Sequence, residues 1–144
     1  MNGDQNNLLL EEVYKAAQMG LDATNIILKK VKEEPLKDYL TSQSKNYTAL
    51  SDDVKKELKR RGDSPKDTPL WDKAMLWGSI QMNTLTDMSD TKIAEMMING
   101  STMGIVDITK KMNEYPEAEK ATRELCRRFI QHEERHIENM KGYL

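Results

Sequence analysis

The chain has 144 residues, 38% of them apolar and 32% charged, and its 22 basic and 24 acidic side chains leave a net charge of −2. That length supports one domain, residues 1–144, around one core. The charge gives no electrostatic reason to bind nucleic acid or an anionic membrane, and no apolar run approaches the length of a membrane span.

The first run, "NNLLLEEVYKAAQMGLDATNIILKKVKEE", steps by three and four through Leu10, Val13, Tyr14, Ala17, Leu21, Thr24, Leu28 and Val31. That spacing predicts a helix with one apolar face, capped by Asn6 or Asn7. Pro35 then sets a sharp reversal into "LKDYLTSQSKNYTALSDDVKKELKRRG". Its stripe is Leu36, Tyr39, Leu40, Gln43, Tyr47, Leu50, Val54 and Leu58, and Gly62 is a left-handed stop. So short a turn predicts antiparallel neighbours.

Two prolines and several Asp and Ser residues mark the next stretch as a loop. Within it, Asp67 or Thr68 is expected to cap a short helix entered by Pro69, with Trp71, Ala74, Met75, Gly78, Met82 and Leu85 as its face and Trp71 at least partly covered. The third long run carries Ile93, Met97, Ile98, Ser101, Ile105, Ile108 and Met112, with Gly100 and Gly104 one turn apart where another helix can approach. Pro116 opens the last run, whose stripe is Ala118, Thr122, Leu125, Phe129, His132/Glu133, His136 and Met140. Four long helices and one short one follow, with no strand pattern. The long connection between the second and third long helices suits a crossover.

Ten methionines read as filler for irregular gaps between helices. The one cysteine, Cys126, excludes an internal disulfide, suits a reducing cytoplasm and reads as inert packing. The opening "MNGDQNNLLLEE" lacks the pattern of a secretion signal.

The last helix contains His132-Glu133-x-x-His136, the spacing that puts two imidazoles of a zinc protease on one helix face. A protease site needs a third ligand. The chain has only two histidines, and the one carboxylate after His136 is Glu138, two positions on and on a different side of the helix. A peptidase is therefore not expected. The same letters contain Glu133-x-x-His136, the motif that di-iron helical proteins take from two of their helices, with one further Glu from each of the other two.

With this motif, the Leu36-Lys37 to Gly62-Asp63-Ser64-Pro65 second helix, the Trp-bearing crossover and the Arg/His-rich last helix, residues 8–142 resemble the ferritin-like superfamily. More narrowly, they resemble a small bacterial group of ferritin-like proteins of unknown function. The resemblance implies an all-α, ferritin-like antiparallel four-helix bundle with a short crossover helix between helices two and three. It also implies a place for iron, manganese or zinc. The ligand positions depart from that pattern. The second helix reads Gln43-Ser44-Lys45-Asn46 where a second Glu-x-x-His belongs, the first offers only Asp22, and the nearest acids of the third are Glu95 and Asp107. A dinuclear centre needs several carboxylates to balance and bridge two cations.

The candidate metal ligands are Glu133, His136, His132, Asp107 and Glu95. The competing expectation is a buried polar network of Gln43, Tyr47, Glu133 and His136 that fixes helix register. In it His136 faces inward, bonded to Gln43 or Tyr47, and His132 lies nearer the edge. The function expected is a non-enzymatic bundle with a degenerate metal site and a structural or protein-interaction role. The alternative is a metal-binding or redox protein with a reduced mono- or dinuclear site. Self-association or a protein partner fits the Met- and Trp-bearing crossover; nucleic acid and membrane do not.

Overall fold

A computed structural model describes residues 2–66, 70–84 and 87–144, with side chains from Gln5 in the first helix and from Asp72 in the third. The described residues are all-α. The helices are α1 (Asn2–Leu28), α2 (Glu34–Arg60), α3 (Leu70–Thr84), α4 (Asp90–Glu114) and α5 (Lys120–Lys141). The proposed cap and entry of α3 at Asp67, Thr68 and Pro69, the cover on Trp71 and the position of Leu85 fall outside the described residues.

Contacts at the helix ends set the directions. Asn6 Oδ1 accepts from Glu119 N–H at 2.7 Å, Gln5 Oε1 accepts from Glu117 N–H at 2.9 Å, and Arg61 Nη2 donates to Glu119 at 2.6 Å. The start of α1, the end of α2 and the α4–α5 turn therefore share one end. At the other, Thr91 Oγ1 donates to the Tyr143 carbonyl at 3.4 Å. It follows that α1 and α5 run one way, and α2 and α4 the other. The chain must travel the helix length between α2 and α4, and α3 lies in that connection, packed on α1.

The helix ends follow local chemistry. Pro35 occupies the first turn of α2, where its missing N–H costs nothing. Gly62 has φ +76°, the left-handed conformation that ends α2 without a Cβ penalty. Ser89 Oγ accepts from Lys92 N–H at 3.2 Å and caps α4. The expected cap of α1 at Asn6 or Asn7 is corrected: the helix begins at Asn2, and Asn6, fully buried, serves the entry to α5 instead.

The core falls into two apolar parts. One gathers Leu10, Val13, Val54, Leu58, Ile108 and Phe129 with their neighbours near the α4–α5 turn. The other gathers Ile27, Leu36, Leu40, Ile93, Met97 and Met140 near the α1–α2 turn. Each buried Leu, Ile or Phe contributes roughly 1.5–3 kcal/mol by leaving water. Between the two parts the inward positions turn polar: Thr24 on α1, Gln43 on α2, Ser101 on α4, and His132, Glu133 and His136 on α5 are all buried.

The short helix shows a different face from the expected one. Ala74, Met75 and Met82 are exposed, while Ile80 and Thr84 are buried and Leu76 is half-buried. Because α3 rests on α1, it covers a narrow strip, and the four-residue step 76, 80, 84 fits a strip better than a broad face.

A buried polar layer as the candidate functional site

The layer is centred on α5. Successive positions on a helix turn by about 100°, so residues 132, 133 and 136 share one arc with Phe129. Glu133 stands on one flank of that arc and His132 on the other, with His136 between them. As the spacing placed them, His136 faces inward at 1% exposed and His132 lies nearer the edge at 9%, with Glu133 at 3%, although neighbouring helices cover the whole arc. The cover on His132 is the Tyr47 ring, edge-on with centroids 4.6 Å apart.

The Glu133 carboxylate is held by hydroxyls. Tyr47 donates to it, with its oxygen 2.7 Å from Oε1 and 2.9 Å from Oε2, and Ser101 Oγ donates to Oε2 at 2.6 Å. Burial pushes the Glu133 carboxyl up from the usual range, and the Ser101 and Tyr47 hydroxyls hold it back. Burial and the neighbouring Glu133 charge push the Tyr47 phenol well above its ordinary value, so Tyr47 stays a donor. Tyr47 can enter because Gly20 of α1 faces its ring: a Cβ there would lie 2.5 Å from Cε1. Gly104 makes similar room for Phe129, whose Cζ would be 3.1 Å from an added Cβ, whereas Gly100 faces open space.

His136 shares a 2.6 Å hydrogen bond between Nδ1 and the Tyr39 hydroxyl. The expected partners were Gln43 and Tyr47; the actual one lies one turn from Gln43 and two from Tyr47 on the same α2 stripe. The two imidazoles stack with centroids 6.2 Å apart. Burial pushes both down to about 4; Arg135 and Arg128 add to the effect at His132, and His132 adds to it at His136. Both are therefore neutral at pH 7. His136 Nε2, both nitrogens of His132 and Gln43 Oε1 are buried without a partner among the described residues.

The other proposed ligands are elsewhere. Glu95 and Asp107 sit on the exposed side of α4, and Ser101 is the residue of that helix that meets Glu133. Among the described residues no group of three or more His, Cys, Asp or Glu side chains is placed to hold a metal ion. A dinuclear centre of the kind the ferritin-like resemblance implies does not fit these residues: hydroxyls of Tyr47 and Ser101 and the Gln43 amide stand where bridging carboxylates would be needed. Cys126 is fully buried, and burial pushes its thiol up to about 12 although Arg123 and Arg127 lower it, so it is a packing residue rather than a nucleophile.

Tyr47→Phe keeps the ring and deletes the donor. It is expected to cost roughly 1.5–3 kcal/mol, since a buried carboxylate loses a charge-assisted hydrogen bond. Urea unfolding at pH 7 measures this, and a change under 0.5 kcal/mol would mean the phenol does not support Glu133.

No protein-family model, no curated protein and no solved structure matches this chain.

Proposed function

We propose that the chain is a ferritin-like antiparallel four-helix bundle of α1, α2, α4 and α5, with α3 as its crossover helix. On this reading it serves a non-enzymatic structural or protein-interaction role in the cytoplasm, and its polar layer replaces a metal centre. The observation that carries the reading is the Glu133 carboxylate, met on both oxygens by Tyr47 and Ser101 hydroxyls. Such a layer fixes the register of α2, α4 and α5, because sliding α5 by one turn would strip both donors from the buried carboxylate and sliding α2 or α4 would strip one. No helix is long and apolar enough to cross a membrane among the described residues, which agrees with a role away from the bilayer.

The test is elemental analysis after reconstitution with Fe²⁺, Mn²⁺ and Zn²⁺, beside a Glu133→Ala/His136→Ala variant. The expected result is far less than one ion per chain, with no difference between the two proteins. Stoichiometric metal that disappears in the variant would overturn the reading.

The unpartnered imidazole nitrogens favour a second reading, a single ion held by His132 and His136. In that case Zn²⁺ would raise the unfolding temperature of the wild type and leave a His132→Ala variant unchanged.

A further inference from the structure

The helix α3 is held to α1 and to the turn that follows it, on either side of an opening. Toward the start of α3, Lys15 Nζ lies 3.5 Å from Asp72. Toward its end, Lys30 Nζ donates to Gln81 Oε1 at 2.7 Å, and Ile80 is buried beside it. Between these points the helices part around a groove of about 390 Å³, within the range of small-molecule sites. Positions 22 and 26 line it from one face of α1, Lys29 from the turn that follows that helix, and 73 and 77 from one face of α3. Ile26, Leu76 and the Trp77 indole, 56% exposed, form its apolar walls, and Lys29, Lys73 and Asp22 its polar ones.

The charges are unequal. Two lysines and one aspartate line the groove. With Lys29 and Lys73 against Asp22, the lining carries a formal excess of one positive charge. An exposed indole beside apolar side chains and a net positive charge complements a flat apolar body that carries one anionic group.

We propose that the α1–α3 groove binds a small amphipathic carboxylate, its apolar body against Trp77, Ile26 and Leu76 and its carboxylate at Lys29 and Lys73. This site is separate from the polar layer, and it does not depend on the function proposed above.

The experiment titrates 2-naphthoate and the uncharged 2-naphthalenemethanol into ¹⁵N-labelled full-length protein. It follows the two indole N–H signals, assigned with a Trp77→Phe variant. The Trp77 signal is expected to move saturably with the acid, and the alcohol to bind roughly tenfold more weakly. Lys29→Glu/Lys73→Glu should weaken the acid by roughly tenfold and the alcohol by no more than about twofold. These lysines are exposed, and the melting temperature verifies that the variant folds. Equal binding of acid and alcohol would overturn the proposal, as would no effect of charge reversal or a response confined to the Trp71 signal. A Trp77 signal that moves with protein concentration and no probe would overturn it too, because a second copy of the chain would then fill the groove.

Discussion

Acidification from pH 6.5 to 4 is expected to destabilise this protein by several kcal/mol. His132 and His136 ordinarily titrate near 6.5 and are pushed down to about 4 by burial. A group whose folded pKa is depressed favours the folded state above its unfolded pKa. As pH falls below 6.5 the unfolded chain takes up a proton at each imidazole, and the folded chain does not until about 4. Each contributes roughly 3 kcal/mol over that window at 1.36 kcal/mol per unit, so the pair approaches ~6 kcal/mol. Typical domains hold only about 5–15 kcal/mol in total. Glu133 acts in the opposite sense. Its carboxyl is raised, so its contribution to stability is present below the ordinary value of 4.5 and lost as pH rises through the folded pKa, and it offsets part of the loss in acid. Urea unfolding at half-unit steps between pH 7 and 4 measures the slope. A His132→Gln/His136→Gln variant, which has no imidazole to titrate, should show no such loss across the same window and keep only the opposite trend from Glu133. A wild type that follows the variant would mean that the two rings are hydrated in the folded state.

The α2 and α5 stripes were legible because a strict three/four step left little choice of face. Every inward position read on α2 is buried except Tyr39, which is half-buried, and on α5 only Leu125 is half-buried. Of the polar network read from Gln43, Tyr47, Glu133 and His136, all four residues are buried but only the Tyr47–Glu133 hydrogen bond forms; His136 pairs with Tyr39 instead, and Ser101 completes the carboxylate. What the spacing hid was breadth. A stripe assigns one inward residue per turn, so His132 and Glu133 seemed to compete, whereas helices on both sides of the arc bury both. On α1 the stripe omitted Leu9 and Ile27, which are buried, because a helix touching α2, α3, α4 and α5 has no single inward direction. On α3 the opposite held, and one neighbour made most of the apolar residues optional. Ser101 stood on the α4 stripe, yet its role required knowing that Glu133 lies opposite, and no local pattern encodes that. Gly20 carried no signal in the sequence, because a glycine's use depends on what approaches it.

Gly20→Ala is expected to destabilise the protein, although alanine is the better helix former by roughly 1 kcal/mol. The added Cβ would stand 2.5 Å from Tyr47 Cε1 and 2.6 Å from Cζ. It meets the body of the ring, not a flexible tip. Tyr47 has nowhere to retreat: it is 2% exposed, His132 closes on it edge-on, and its hydroxyl is tied to Glu133. The ring must tilt or the helices must part. Overpacking of this kind costs about 1–3 kcal/mol, and breaking the phenol–carboxylate contact adds roughly 1.5–3. Net of the helix gain, the loss should be about 3 kcal/mol, or a melting temperature lower by ~10 °C. A double-mutant cycle isolates the cause. With Tyr47→Leu already in place, the same Gly20→Ala change should be neutral or stabilising by up to about 1 kcal/mol, because only the helix term survives. If Gly20→Ala instead raises the melting temperature with Tyr47 intact, α1 does not press on the ring. The room for Tyr47 to reach Glu133 would then come from elsewhere than the missing side chain at position 20.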